Sequence, residues 1–538
     1  MHIQTSLVFS LSAATALAST ASVAPTGYAN STDSYAAEHK HIAELQSKVS
    51  SLKAEISSQK QSSSEACAVT GTANVEPSAL PSGAVSRESS SGTAPTTYSA
   101  AYETYSSAYD NAQKSSVSVA STTSRSAGEL YPSGAVSNST SVGPTGTGVT
   151  TSSAASSTSA IPTSYVPVLG DFSDSDIASG AAWKNVSSLA DTYLKARGSN
   201  GSCTYENARV RTEFRSMSNA DRKSFTDAIM CLQQTAPRNT AAGSETYPGV
   251  LNRYDEFVAT HINMTYNIHG TADFLAWHRN FIFEFESDLN NVCGYTGNLP
   301  YWDWSADAFD LDSSAVFNGD EFSMGGNGQV ISGRDDTYLG LQNLNFPPGS
   351  GGGCVLEGPF SNGTSFETHL GPLDSPYDNN VANQFDLNTR CLVRDLNTWF
   401  SSQFNTYKNV TDLVLGQTEV GNFQDLMQGF LGDNPLGVHG GGHWLGGGPS
   451  QLEDFHSSPG DPVFFIHHAM IDRIWSVWVN LDAEERLDAI SGTSTMLNSP
   501  PTDDMELSNV LSFGLVGEDH VFGDLMDTMA GPYCYRYE

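Results

Sequence analysis

The chain has 538 residues, enough for one large domain with appendages or for two or three ordinary domains. Its 59 Asp and Glu against 25 Lys and Arg give a formal charge of −34, a surface that repels nucleic acid and anionic membranes and keeps a protein soluble. No run approaches the uninterrupted apolar length of a membrane span, so neither polyanions nor bilayers are expected partners.

Met1 to Thr5 is a short polar start, Ser6 to Leu17 is apolar or small, and Ala16-Leu17-Ala18 supplies a small-x-small cleavage pattern. Residues 1–18 are therefore predicted to be a signal peptide and the protein to be secreted, although His2 is the only basic residue at its start. Residues 19–165 are dominated by Ser, Thr, Ala and Gly and have almost no Trp, Phe or Ile. Such a segment cannot bury enough apolar surface to offset the entropy of ordering it, which predicts a disordered, O-glycosylated stalk. Within it Ile42, Leu45, Val49, Leu52 and Ile56 keep the 3-4 spacing of a heptad seam. A short helix over about 36–60 is expected there, too short for more than weak self-association.

From residue 166 to 538 tryptophans appear (Trp183, Trp277, Trp302, Trp304) and helical periodicity alternates with Gly- and Asn-rich loops. Arg209 to Leu232 reads as an amphipathic helix pair, and Leu251 to His261, Thr271 to Asn290 and Phe464 to Leu481 read as helices. Asp303 to Pro372 is glycine-rich and loop-like. The class expected is one mainly α domain with long irregular loops and few short strands. Cys67 stands alone in the stalk, whereas Cys203, Cys231, Cys293, Cys354, Cys391 and Cys534 lie in this domain and suit disulfides in an oxidising compartment. Sequons at Asn30, Asn138, Asn185, Asn200, Asn263, Asn362 and Asn409 permit N-glycosylation of an exported chain.

Seven of the thirteen histidines fall in two clusters. His261, His269 and His278 form the first. The second is His439 and His443 in H-G-G-G-H, followed by the adjacent His467 and His468. His439 and His443, four apart, project from one helix face. His269 and His278, nine apart, are half a turn out of phase, so His269 is expected before a helix capped by Thr271, with His261 at the end of the preceding helix. Of His467 and His468 only one can face a given site, because helical neighbours diverge by about 100°. Each cluster thus offers three imidazoles, a donor set that suits copper, zinc, iron or nickel. A zincin would need Glu where Gly440 stands, and a facial-triad iron site would need a carboxylate. His369, His456 and His520, standing singly, read as structural or solvent-exposed.

These motifs resemble those of the tyrosinase, catechol oxidase and haemocyanin group, the type 3 copper proteins, and are most similar to the short fungal secreted members. H-G-T-A-D-F-L-A-W-H-R is similar to the family's copper A motif, and D-P-V-F-F-I-H-H-A-M-I-D to its copper B signature. C-G-Y-T-G, P-Y-W-D-W, G-G-C-V-L-E-G-P-F and the terminal Y-C-Y-R-Y extend the likeness from Cys203 to Glu538. The resemblance implies two copper ions per chain, one on His261, His269 and His278, the other on His439, His443 and His468, with His467 a neighbour. It implies a central four-helix bundle with ligands projecting inward. Phe464, Gly440, His467 and Asp472 are then candidates for the surroundings of the ligands or the substrate pocket, with plain core packing an equal reading for Phe464.

The chain departs from the family pattern in three places. Many fungal members carry a cysteine that forms a thioether with the second copper A histidine, and here Asn267 stands there. Many monophenol-hydroxylating members have Asn after the first copper B histidine, where this chain has Gly440. The sequence stops just after Tyr535-Arg536-Tyr537, so a C-terminal shielding domain is not expected and latency would have to come from the stalk. The resemblance therefore implies an enzyme that uses O2 to oxidise o-diphenols to o-quinones, with weak monophenol hydroxylation. An o-aminophenol or secondary-metabolite phenol oxidase, and a non-enzymatic oxygen-binding protein, are the alternatives.

Overall fold

The computed structural model describes residues 165–538 apart from 199–200, 240–241, 340–343, 374–379 and 433. The signal peptide, the stalk, the heptad helix and its self-association, and Cys67 lie outside the described residues. In chain order, helices α1 (Asp174–Ala178) and α2 (Ala181–Arg197) precede strand β1 (Arg209–Arg211), which is followed by α3 (Asn219–Gln234), α4 (Arg253–Ile268) and α5 (Phe274–Asn291). Four short strands, β2 (Gly328–Val330), β3 (Thr337–Leu339), β4 (Leu344–Phe346) and β5 (Gly352–Val355), punctuate the glycine-rich stretch. Then come α6 (Thr398–Phe404), α7 (Tyr407–Gly416), α8 (Val420–Gln428), α9 (Gly437–Trp444), α10 (Val463–Leu481) and α11 (Ala483–Arg486). Strands β6 (Val510–Leu511), β7 (His520–Val521) and β8 (Tyr535–Tyr537) close the sequence. The described residues are thus mostly helical, and their strands pair only two at a time.

Local chemistry sets the helix starts. Asn252 and Asp255 form a reciprocal capping box at the head of α4, and Ser218 accepts the Asp221 N–H at the head of α3. Helix α10 is buried along its whole length, and its predominantly apolar sequence favours this, while its polar residues find partners, as Asp472 does with Arg279. It packs against α2 on one side and α5 on another. Between α5 and α10 the Phe285 and Phe465 rings stack with centroids 3.5 Å apart, beside Trp277 stacked on Phe281 at 4.8 Å. Each such buried aromatic stabilises the fold by about 1.5–3 kcal/mol, so the α5–α10 seam is a rigid base for whatever those helices carry.

The expected helix pair over Arg209 to Leu232 is helical only from Asn219. Residues Arg209–Arg211 instead pair in parallel with Tyr535–Tyr537. The reason is electrostatic as much as steric. Arg211 is fully buried, ion-paired to Glu286 at 2.6 Å, and lies 3.7 Å from the Tyr535 ring, so its backbone is drawn out to meet the C-terminal strand. Three disulfides form, Cys203–Cys534, Cys231–Cys293 and Cys354–Cys391. The first ties the two ends of the domain together beside the β1–β8 pair.

Candidate metal centre

Two groups of histidines converge inside the helices. His261, His269 and His278 form one, and His439, His443, His467 and His468 form the other; within each group one ring nitrogen per residue lies within 4.8 Å of the rest. Helix α4 runs on to Ile268, so His261 sits in its middle and not at its end. His269 is the extended residue that terminates α4, and α5 begins behind Asp273 rather than Thr271, with His278 in its second turn. His439 and His443 lie one turn apart on α9, and His467 and His468 lie on α10.

Backbone carbonyls fix the ring tautomers. The Nδ1–H of His261 donates to the His456 carbonyl at 2.6 Å, that of His269 to Thr265 at 2.9 Å, and that of His278 to Phe274 at 2.8 Å. In the second group His443 donates likewise to Leu452 at 2.9 Å. A carbonyl only accepts, so in each ring the proton is on Nδ1 and the Nε2 lone pair is left free. The Nε2 atoms of His261 and His278 are buried without a hydrogen-bond partner. His443 Nε2 lies 3.1 Å from His439 Nε2 and 3.2 Å from His468 Nε2. Three nitrogens bonded at about 2.0–2.1 Å to one tetrahedral ion stand roughly 3.3 Å apart, so this spacing fits a shared cation.

Electrostatics agrees with neutral donors. Burial lowers the His269 ring to about 3 and the His443 ring to about 4. Burial, helped by the neighbouring imidazoles, holds His261, His278, His439 and His468 well below the ordinary range. Among the described residues both groups consist of histidine alone. Buried, neutral, carboxylate-free imidazole sets of this kind fit copper.

The adjacent pair divides its labour. The Trp304 indole N–H donates to His467 Nδ1 at 3.1 Å, which occupies that lone pair and leaves the proton on Nε2. The His467 ring also lies flat against α9, where a Cβ on Gly442 would come within 2.1 Å of its Cε1. His468 has no such restraint. Its ring packs on Phe464 at 4.1 Å and on His278 of the other group at 4.5 Å and 14°, so the two groups touch at this point. Phe464 is fully buried and also faces His261 at 5.3 Å.

Gly440 is half-buried on α9, and a Cβ there would meet only Leu436 at ordinary contact distance, 3.4 Å. Asp472, one turn beyond His468, bonds none of the histidines. Its carboxylate receives Arg279 at 2.7 Å, Arg211 at 3.4 Å and the Tyr535 and Tyr537 hydroxyls at 2.6 Å. Burial alone would raise Asp472, but the two guanidinium groups and two hydroxyls outweigh it and hold the carboxyl below its usual range. Because Arg279 follows His278, this knot ties α5 to α10 just behind both groups. His369 pairs with Asp255 at 2.8 Å, away from either group. The sequence carries no local sign of Trp304 as the partner of His467, of the His456 backbone as that of His261, or of Phe455, whose ring stands 4.9 Å from His269. All three are distant in sequence from the rings they touch.

Known proteins are similar to this chain in sequence and fold. The family model of the common central domain of tyrosinase matches residues 251–481. Tyrosinase P of Aspergillus terreus is 36% identical over 362 residues, covering 66% of this chain and 99% of its own length. N-acetyl-6-hydroxytryptophan oxidase ivoB of Emericella nidulans is 36% identical over 353 residues, with 62% and 94% covered. Among solved structures, a polyphenol oxidase variant from Thermothelomyces thermophila superposes with a TM-score of 0.59 at 34% identity, covering 68% of this chain and 97% of that one. The chain belongs to the tyrosinase family. It is a copper-dependent oxidoreductase of the phenol-oxidising kind.

Proposed function

We propose that the chain is a secreted dicopper oxidase that uses O2 to convert o-diphenols to o-quinones. One copper is held by His261, His269 and His278 and the other by His439, His443 and His468, and α4, α5, α9 and α10, which carry these six residues, act as the bundle around the pair. The single observation that carries this reading is the set of Nε2 lone pairs left free by backbone-locked tautomers in two adjoining groups. Once bound, the copper pair supplies the electron chemistry that couples oxidation of two catechols, each losing two electrons and two protons, to reduction of one O2 to two waters.

The protein's own part is positioning and exclusion. Carbonyls of His456, Thr265, Phe274 and Leu452 aim the rings, and Phe464 keeps water from the space between the groups. The second group is the more open one, with His439 and His443 at 7% and 8% exposure against 1–3% in the first, so a phenol is read as entering along α9. His467 is no general base for that phenol, since Trp304 occupies its only lone pair. Gly440 offers no side chain to orient a water beside the incoming ring, which favours diphenols over monophenols. The disulfides suit an oxidising compartment, and among the described residues no helix is long and apolar enough to cross a membrane.

Oxygen uptake by copper-loaded protein on 4-methylcatechol, o-aminophenol, tyramine and tyrosine tests the reading. Prompt uptake with the catechol and little with tyrosine is expected; lag-free hydroxylation of tyrosine contradicts it. The 36% identity to an N-acetyl-6-hydroxytryptophan oxidase favours a second reading, oxidation of one secondary-metabolite phenol. A 6-hydroxyindole oxidised faster than 4-methylcatechol would select it.

A further inference from the structure

Five of the six proposed ligands project from within helices, but His269 does not. It is the extended residue, φ −126° and ψ 137°, that ends α4, and Gly270 behind it has φ +59°. A ligand on such a turn has no helical ladder to hold it. The polar groups of Gly270 are instead taken by two distant residues. Its N–H donates to Gln428 Oε1 at 2.9 Å, and its carbonyl accepts the Leu497 N–H at 2.9 Å. Leu497 makes this bond from a left-handed conformation, φ 50°, which is costly for a side chain with a Cβ and persists where the surroundings enforce it.

Gln428 is itself anchored. It is buried at the last turn of α8, and its Nε2–H donates to the Gln424 carbonyl at 3.2 Å. Gln424 in turn reaches the Ser491 carbonyl at 2.8 Å. On its other side α8 packs on α9 so tightly that a Cβ on Gly437 would come within 2.1 Å of the Met427 carbonyl. The end of α8 therefore bonds the residue after His269 and abuts the backbone two residues before His439. Asn267, two residues before His269, adds a bond from Nδ2–H to the Ser494 carbonyl at 3.1 Å.

We infer that Gln428 is a positioning residue for the first copper site, whose amide oxygen holds the His269 turn in register with α9. The inference rests on the dicopper reading above. Its test is a copper(II) titration of apo-protein against a competing chelator, in the full chain, with the melting temperature of each apo-protein in parallel. Wild type is expected to bind two ions tightly. Gln428→Met, which removes the acceptor at similar volume, is expected to bind one ion as wild type does and the other about 10- to 100-fold more weakly, with an isolated copper(II) signal in electron paramagnetic resonance. Gln428→Glu, which keeps an acceptor for Gly270, is expected to bind both ions as wild type does. Wild-type affinity for both ions in Gln428→Met overturns the proposal, as does equal weakening of both ions with a lowered apo melting temperature. Weakening in Gln428→Glu as large as in Gln428→Met also overturns it. A wild-type chain that binds fewer than two ions fails the dicopper reading instead, and that arm is read before either variant.

Discussion

The two histidine groups are built on different principles. In the first, every ring is aimed by a hydrogen bond from Nδ1 to a backbone carbonyl, two of them four residues earlier in the same chain segment. In the second, among the described residues, His443 has such a bond from Nδ1, and the His467 ring also meets the His439 backbone. His468 is held by ring packing on Phe464 and His278, and His467 by an indole and a missing Cβ. A site gathered from two helices and a turn needs directional bonds. A site drawn from the short α9 and the buried α10, with its rings packed on one another, can rely on shape. The difference teaches that apparently equivalent triads should fail in different ways.

The largest expected effect separates the adjacent pair on α10. His468→Ala should lower the copper content from two ions to one and abolish catechol oxidation, whereas His467→Ala should keep both ions, as metal analysis of purified protein would reveal. Loss of an ion in His467→Ala and not in His468→Ala would break the comparison at its root. Next in size is Phe464→Ala, which opens a cavity where the two groups meet and should cost about 3–5 kcal/mol in urea unfolding of apo-protein. Its effect on copper affinity should fall mainly on the second site, where ring packing does the holding. Gly442→Ala should cost about 1–3 kcal/mol by overpacking and should disturb the His467 ring, leaving the first site's affinity unchanged in the same titration.

The smallest effect lies outside both groups. Burial opposes charge on His369, but its bond to Asp255 and the nearby Glu367 outweigh it and raise the ring above its ordinary value. A raised histidine contributes its full stability below the unfolded value near 6.5 and loses it as pH rises through the folded value. His369→Gln should therefore destabilise most at about pH 6 and least at about pH 9. A melting-temperature difference that grows towards alkaline pH would contradict the pairing.

Much of this was legible from spacing alone, because ligands four apart on one helix, or next to a strong apolar period, leave a local trace. His439 and His443 fall on one helix as their interval requires, and α5 and α10 occupy the segments that periodicity assigned. The errors lie where distant chemistry decides. α4 continues past His261 because Ile262, Thr265 and Ile268 stay buried on its core face. Thr271 yields the cap position to Asp273. Arg209 to Arg211 leave the helical pattern to reach a strand more than 300 residues away. Trp304, Gln428 and Gly442 matter only through partners that no window of sequence contains.

The most direct test of the central claim is a crystal structure of copper-loaded protein with anomalous data collected at the copper edge. Two peaks are predicted, one bonded to Nε2 of His261, His269 and His278 and the other to Nε2 of His439, His443 and His468, with the Trp304–His467 hydrogen bond intact. A single peak, or a peak bonded to His467 in place of His468, would contradict the account.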